Sequence, residues 1–254
     1  MSLMTLLAVE RIKLFSTRSP YWCTALALVL GVGLTAIIAG TTENGQMSIG
    51  LTQFGSSQLA LAVVLVMSAL AVTTEYRFST IRATFLAVPN RISALVAKTA
   101  VVAFIAGALG EIIAFGSWGI AKVMQPTADL AINTGAEWRH VAGVGLLYGI
   151  GAILAIAVGI LVRQTAGAVA ILLVWNMLLE GLIGIIPKVG IKIQAWLPFQ
   201  NANHFLQLGG GNPAEQPGAG IDFKLSQWGS LAYFAGIAVA LLVVALIVAK
   251  RRDA

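Results

Sequence analysis

Apolar residues dominate the chain in six long runs, and short segments between the runs hold most of the charged residues. A bilayer core about 30 Å thick needs roughly 20 apolar residues in helical conformation, and backbone amides without partners in lipid strongly favour helix. The runs of sufficient length are 21–39, 57–74, 99–121, 141–162, 168–186 and 229–249. This pattern predicts an all-α membrane protein with six transmembrane helices.

Composition supports a membrane protein and excludes a soluble globular or disordered one. Hydrophobic residues make up 58% of the chain and charged residues 10%, whereas a soluble domain carries roughly 25% charged residues. The single cysteine, Cys23, cannot form a disulfide within the chain. His140 and His204 belong to no zinc-binding motif, so we expect no metal site and place both histidines at the outer surface without a chemical role. The first apolar run is longer than the roughly 7 to 15 residues typical of a signal peptide, so we expect it to be retained.

The distribution of Lys and Arg predicts the orientation in the membrane. With six spans both termini lie on one side, and 11 of the 16 basic residues fall on that side. The positive-inside rule therefore places both termini in the cytoplasm, and we expect the chain in the plasma membrane. Basic residues do not cluster with interleaved aromatic residues, so we expect no nucleic-acid partner.

The N-terminal segment, 1–20, predicts an interfacial helix on the inner leaflet. Met4 and Ile12 share an apolar face with neighbouring residues, and Glu10 and Lys13 lie opposite. Such a helix lies in the plane of the membrane surface with its apolar face towards the lipid.

Two loops stand out within the remaining domain, 21–254. The cytoplasmic loop 75–98 is long enough for a short helix, with Ser79 as its N-cap and Pro89 as its stop. The extracellular loop 187–228 is far longer than a usual connection, and its apolar pieces predict a re-entrant or interfacial element followed by a flexible turn.

Charged and polar residues inside the predicted spans are candidates for function. Glu111 and Glu180 lie in apolar runs, and Asn176 lies one turn before Glu180. Two interpretations stay open for Glu180, a polar spot on a substrate path or a hydrogen-bonded tie between helices, and for Glu111 we favour the tie. Gly145 and Gly149 predict close helix packing.

Residues 74–91, TEYRFSTIRATFLAVPNR, resemble the cytoplasmic coupling segment of type 2 ABC transporter export permeases. Residues 10–22, ERIKLFSTRSPYW, are similar to the connecting helix that precedes the first span in that family. Position 79 carries serine where the family often has glycine. Six spans, cytoplasmic termini and an extended outer region before the last span also match.

The resemblance implies a permease half that lacks its own ATPase. A second half, identical or homologous, would pair with it, and two ABC ATP-binding subunits would dock below and hold the ATP and Mg. We therefore expect no cofactor and no catalytic residue in this chain, and its sequence contains no phosphate-binding loop.

The resemblance also assigns roles to individual residues. The expected contacts with the ATPase are Glu75, Arg77, Ile81, Arg82, Phe85 and Leu86. Span five, with spans one and two, would line the substrate route, and its polar positions are Trp175, Asn176 and Glu180. An apolar wall with a polar patch suits a lipophilic or amphipathic substrate.

Three other interpretations remain. The chain could be a non-transporting sensor or immunity component that works with the same ATPase. An intramembrane enzyme is less favoured, because one glutamate with one asparagine is a small set for catalysis. The positive inner loop could also merely bind anionic lipid.

Overall fold

The computed structural model describes residues 3–81, 84, 91–187, 189–208 and 220–252, and these residues form helices and connecting loops without any strand. Six helices are long and apolar enough to cross a membrane, which confirms the predicted number of spans. Spans one to six are Ser19–Thr41, Ile49–Arg77, Arg91–Met124, Gly135–Val162, Thr165–Ile183 and Gln227–Arg251. The chain is therefore a multi-pass membrane protein.

Several helices extend past the apolar runs that predicted them. Span three begins at Arg91, several residues before its apolar run, and so contains Lys98. Backbone hydrogen bonding continues beyond the hydrophobic stretch because a helix satisfies its own amides whether or not its side chains are apolar. Span four begins with a capping box between Thr134 and Glu137 and ends at Arg163, which has a left-handed φ of 58°.

Span four occupies the centre of the bundle. In its most apolar stretch of 18 residues, 72% of the residues are buried, whereas in the same stretch of span five 17% are buried. Glycines bring spans three and four together, as the sequence predicted. A Cβ atom added at Gly107 would lie 3.2 Å from the Gly145 carbonyl oxygen, and one added at Gly149 would lie 3.3 Å from the Ala103 carbonyl oxygen. Spans one, five and six leave most of their residues partly or fully exposed to lipid or to another protein.

The N-terminal helix, Leu3–Phe15, packs against the start of span three. Leu6 is buried with Ala94 and Ala97, whereas Met4 is 78% exposed. The helix therefore presents the predicted apolar face outwards, which suits an interfacial helix. The opposite face differs from the expectation, because Glu10 is buried against the protein rather than turned to water.

The loop 75–98 is described only in part. Thr80, Ile81 and Thr84 are helical, and the rest of the predicted coupling helix, including the Pro89 stop, lies outside the described residues. Ser79 lies at the expected start of that helix, but its φ of 58° is left-handed rather than the extended conformation of an N-cap. Such a φ favours glycine.

The long loop before span six contains two helices, Gly190–Gln194 and Pro198–Leu206. The second is called the loop helix below. Pro198 occupies its first turn, where its missing N–H leaves no bond unmade. The loop helix buries Phe199, Ala202 and Phe205 against spans four and six. The re-entrant or interfacial character of this loop stays a prediction, and the predicted flexible turn falls on 209–219, outside the described residues.

Candidate functional site

Four charged side chains meet where the N-terminal helix contacts the ends of spans two and three. The Lys98 ammonium donates to Glu10 Oε2 at 2.5 Å and to Glu75 Oε1 at 2.9 Å. The Lys13 ammonium donates to Glu10 Oε1 at 2.8 Å and to Thr84 Oγ1 at 2.9 Å, and it lies 3.7 Å from Glu75 Oε1. We call Glu10, Lys13, Glu75 and Lys98 the ion cluster.

Helical spacing brings the ion cluster together. Leu6, Glu10 and Leu14 are four residues apart, so they form one stripe, and all three are buried. Glu75 lies in the last turns of span two, and Lys98 is only 6% exposed near the start of span three. Two carboxylates balance two ammonium groups. This balance offsets the large desolvation cost of buried charge, which an unpaired ion could not offset.

The predicted coupling residues differ in how they are placed. Glu75 belongs to the ion cluster. Arg77 is exposed, with its guanidinium 5.5 Å from the centre of the Phe78 ring. Ile81 is 6% exposed and packs in the core, and its contact with an ATPase stays a prediction. The other three, Arg82, Phe85 and Leu86, lie outside the described residues.

Glu180 binds the amino end of the loop helix. Its carboxylate accepts hydrogen bonds from the Phe199 amide at 3.0 Å and from the Gln200 amide at 2.7 Å. A carboxylate is favoured there because a helix amino end has unpaired N–H groups and partial positive charge. The arrangement fits the tie interpretation, although the tie joins a span to a loop rather than to another span.

A π-helical turn, Trp175–Leu179, precedes Glu180. A π-helix aligns residues five apart, so Trp175 lies beside Glu180 and contributes a side-chain hydrogen bond to its carboxylate. The Trp175 ring also meets Phe199 edge to face, with 5.8 Å between ring centres. Asn176 is half-buried, and its Nδ2 has no hydrogen-bond partner within the described residues.

The carboxyl end of the loop helix is bound by two basic residues of span four. Arg139 donates from Nε to the Phe205 carbonyl and from its terminal nitrogen to the Gln207 carbonyl, both at 2.7 Å. His140 Nδ1 lies 2.5 Å from the Leu206 carbonyl oxygen. The negative Glu180 thus faces the positive amino end of the loop helix, and the positive Arg139 faces its negative carboxyl end. His140 is 9% exposed, so the expectation of a surface histidine is wrong.

His204 lies on the loop helix near span six. Its ring stacks on Phe223 with 4.0 Å between ring centres, and Nδ1 lies 2.9 Å from Ser230 Oγ. Burial lowers the pKa of His204, and the nearby positive charge of Arg139 lowers it further. His204 is therefore neutral at pH 7.

Glu111 lies over the glycine contact between spans three and four. A Cβ atom added at Gly145 would collide with the Glu111 carboxylate, so glycine makes room for that side chain. The side chain thus packs between the two spans, and the hydrogen-bonded tie at Glu111 stays a prediction.

The comparisons with known proteins name no family, since neither a family model nor a curated protein matches the chain. A relation to ABC export permeases is therefore an expectation from the sequence resemblance around residues 10–22 and 74–91.

Sequence reasoning missed the ion cluster and the basic residues at the carboxyl end of the loop helix. Glu10 shares helical spacing with Leu6 and Leu14, and this was a signal that it faces protein. Lys98 adjoins an apolar run and was counted only as a topology signal. Its pairing with a residue 88 positions earlier left no local pattern.

Proposed function

We propose that the chain is the membrane-spanning subunit of an ABC exporter, driven by ATP that a separate subunit hydrolyses. The resemblance of residues 74–91 to a coupling segment supports this proposal. The observation that carries it is the ion cluster, which joins the end of span two, the start of span three and the N-terminal helix. A force applied to the segment between spans two and three would therefore reach all three elements.

The exposed residues beside the ion cluster suit contact with an ATP-binding subunit. Phe78 is 67% exposed, and Arg77 lies next to it on the surface. An aromatic ring with an adjacent arginine is typical of an interface anchor. In this mechanism closure of the ATPase moves the loop, and Glu75 passes the motion to Lys98 and Glu10.

The proposed assembly contains a second permease half, identical or homologous, and two ATP-binding subunits. Exposed apolar residues on spans one and five, such as Val29 and Leu178, offer surface for the second half or for lipid. Trp175, Asn176 and Glu180 remain the proposed polar part of the substrate route. The proposed substrate is lipophilic or amphipathic, and the proposed location is the plasma membrane with both termini in the cytoplasm.

The test is reconstitution with a candidate ATPase encoded beside this chain. We expect co-purification, ATPase stimulation and ATP-driven movement of an amphipathic substrate out of the cytoplasmic side. Glu75→Ala should leave the complex assembled and hydrolysing ATP but without transport, whereas Phe85→Ala should weaken docking by more than about 1 kcal/mol. Glu43→Ala is the matched control, because Glu43 is exposed at the opposite end of the bundle.

The same experiment separates the alternatives. An ATPase that binds without any substrate movement would indicate the sensor or immunity role. Absence of ATPase binding would overturn the proposal and return attention to an enzyme or a lipid-binding loop. Transport at the wild-type rate in Glu75→Ala and Phe85→Ala would remove the coupling role of this segment.

A further inference from the structure

A cavity of 760 Å³ opens beside the ion cluster, between the N-terminal helix, the start of span one and the adjoining ends of spans two and three. Its walls are mainly apolar and include Leu6, Val9, Leu70 and Val102. All four members of the ion cluster also line it. The cavity is thus apolar along its walls and ionic in one region, which suits an amphipathic molecule.

The volume indicates the size of the occupant. Pockets that hold cofactors and drug-sized ligands measure roughly 300–1,000 Å³ and combine apolar walls with a few polar groups. The cavity lies in this range. A molecule with one apolar chain or a compact ring system matches it.

Hydrogen bonding within the ion cluster indicates which polar group the occupant carries. Three of the four carboxylate oxygens accept bonds from Lys13 or Lys98. The fourth, Glu75 Oε2, is buried and has no hydrogen-bond partner among the described residues. Both ammonium groups already have at least two partners each. Glu75 Oε2 is therefore the one carboxylate oxygen of the cluster that accepts no bond, and an unmatched buried acceptor is costly.

A bound donor could reach this carboxylate from the cavity. Glu75 lines the cavity, and its side chain is 13% exposed. Phe78, which also lines the cavity, adds an aromatic face that attracts cations. A primary ammonium supplies N–H donors for the unpaired oxygen of Glu75, and its charge is opposite to that of this carboxylate.

We infer that this cavity is a binding site for an amphipathic primary amine, whose ammonium binds Glu75 and whose apolar part lies between the N-terminal helix and spans two and three. Two sources carry this chemistry, a lipophilic amine in solution and an ethanolamine phospholipid of the bilayer. The site does not depend on an ATPase partner, so its test is separate from that of the proposed function.

The experiment measures binding of radiolabelled dodecylamine to the purified chain in phosphatidylcholine nanodiscs, with empty nanodiscs subtracted. We expect saturable binding to the wild type. Dodecyltrimethylammonium, which has no N–H donor, and dodecanoate, which has the opposite charge, should compete poorly. Loss of a charge-assisted hydrogen bond in Glu75→Gln should weaken binding roughly tenfold or more.

Two pairs of variants separate loss of the site from loss of the fold. Val9→Trp fills the cavity from a helix face that lines it, whereas Ile12→Trp adds the same bulk on the same helix at a 65% exposed position outside it. Val9→Trp should abolish saturable binding, and Ile12→Trp should retain it. Glu43→Gln, the exposed carboxylate control, should also bind as the wild type does.

Repeating the titration with phosphatidylethanolamine in the nanodiscs identifies the source. A weaker apparent affinity for dodecylamine would mean that the lipid occupies the site, and an unchanged affinity would mean that the amine comes from solution. Either result supports the site. Absence of saturable binding, equal binding to Val9→Trp, or stronger competition by dodecanoate than by unlabelled dodecylamine would overturn the inference.

Discussion

The Lys98 ammonium lies 2.5 Å from Glu10 Oε2, although the two residues are 88 positions apart in the chain. Both side chains are almost fully buried, at 6% and 4% exposure. This contact fastens the N-terminal helix to span three. It makes the ion cluster a structural joint as well as a candidate coupling element.

We expect Lys98→Met to destabilise the protein strongly, because it leaves two buried carboxylates with only Lys13 for compensation. Removing one partner of a buried pair costs about 3–5 kcal/mol. Thermal unfolding in detergent measures the change, and Lys98→Met combined with Glu10→Met should be more stable than the sum of the single variants predicts. Lys224→Met is the control, since Lys224 and its partner Asp222 are exposed and the effect should stay below about 1 kcal/mol. Equal effects at both lysines would contradict the assignment of a buried joint.

Ser79→Gly should stabilise the segment that follows span two. Ser79 has a φ of 58°, a conformation that costs a non-glycine residue about 1 kcal/mol or more. Part of the gain is lost to the greater freedom of glycine in the unfolded chain, so the expected net change is below about 1 kcal/mol. Thr80→Gly is the control. Thr80 is helical and has no positive φ, so glycine there should destabilise by up to about 1 kcal/mol. Thermal unfolding measures both changes. A change in stability of the same sign in the two variants would exclude backbone strain at position 79.

Glu180→Ala should release the amino end of the loop helix. Two backbone amides lose a charged acceptor, and each such hydrogen bond contributes roughly 1.5–3 kcal/mol. Ala202 is fully buried on this helix, so a cysteine at that position, in a Cys23→Ser background, should become reactive only when the helix detaches. Labelling of Ala202→Cys should rise in Glu180→Ala, and rise less in Glu180→Gln, which keeps one acceptor oxygen. Glu43→Gln should leave it unchanged.

Glu180→Gln also tests whether Glu180 lies on the proposed substrate route. We expect Glu180→Gln to reduce export of cationic amphiphiles, because a carboxylate in an apolar wall favours a positive group. Reduced export with the loop helix still protected would support a place on the route. Reduced export that accompanies detachment would mean that Glu180 acts only by holding the helix, and normal export would place it outside the route.

Acid should weaken the contact of His204 with its surroundings. Its pKa in the folded protein is lowered from the usual value of 6.5 by burial and by Arg139. The unfolded chain therefore binds the proton more readily, so the stability contributed by neutral His204 is complete above pH 6.5 and falls as the pH drops through the folded pKa. Unfolding temperatures between pH 7.5 and pH 5 should fall more steeply in the wild type than in His204→Gln. Parallel profiles would show that another group governs the dependence.

The predicted orientation is tested by cysteine labelling in intact cells, again in a Cys23→Ser background. A cysteine at Thr84 should resist a membrane-impermeant reagent added outside, and a cysteine at Asp129 should react. Thr84 lies in the loop between spans two and three, and Asp129 lies in the loop between spans three and four. The reverse result would invert the topology derived from Lys and Arg.

Local sequence patterns were sufficient to predict the six spans and the close glycine contact between spans three and four. An apolar run predicts a membrane helix because all of its side chains suit lipid and its backbone amides bond within the helix. Both properties can be seen in the run itself, without knowing what the helix packs against. The contact at Gly145 was equally visible, since small residues one turn apart form a groove on any helix. The limits of the helices were less visible, because hydrogen bonding continues beyond the last apolar residue, as at Arg91.

The six predicted membrane crossings follow from the apolar runs alone, because these runs match the bilayer thickness and polar backbone groups in lipid must form helices. The partners of the buried charges follow instead from how the helices pack. Glu180 meets the amides of Phe199 and Gln200, and Glu10 meets Lys98. The side chains in these contacts come from separate elements, and a buried charge takes whichever partner the folded chain brings within hydrogen-bond distance. Sequence spacing does not encode that distance.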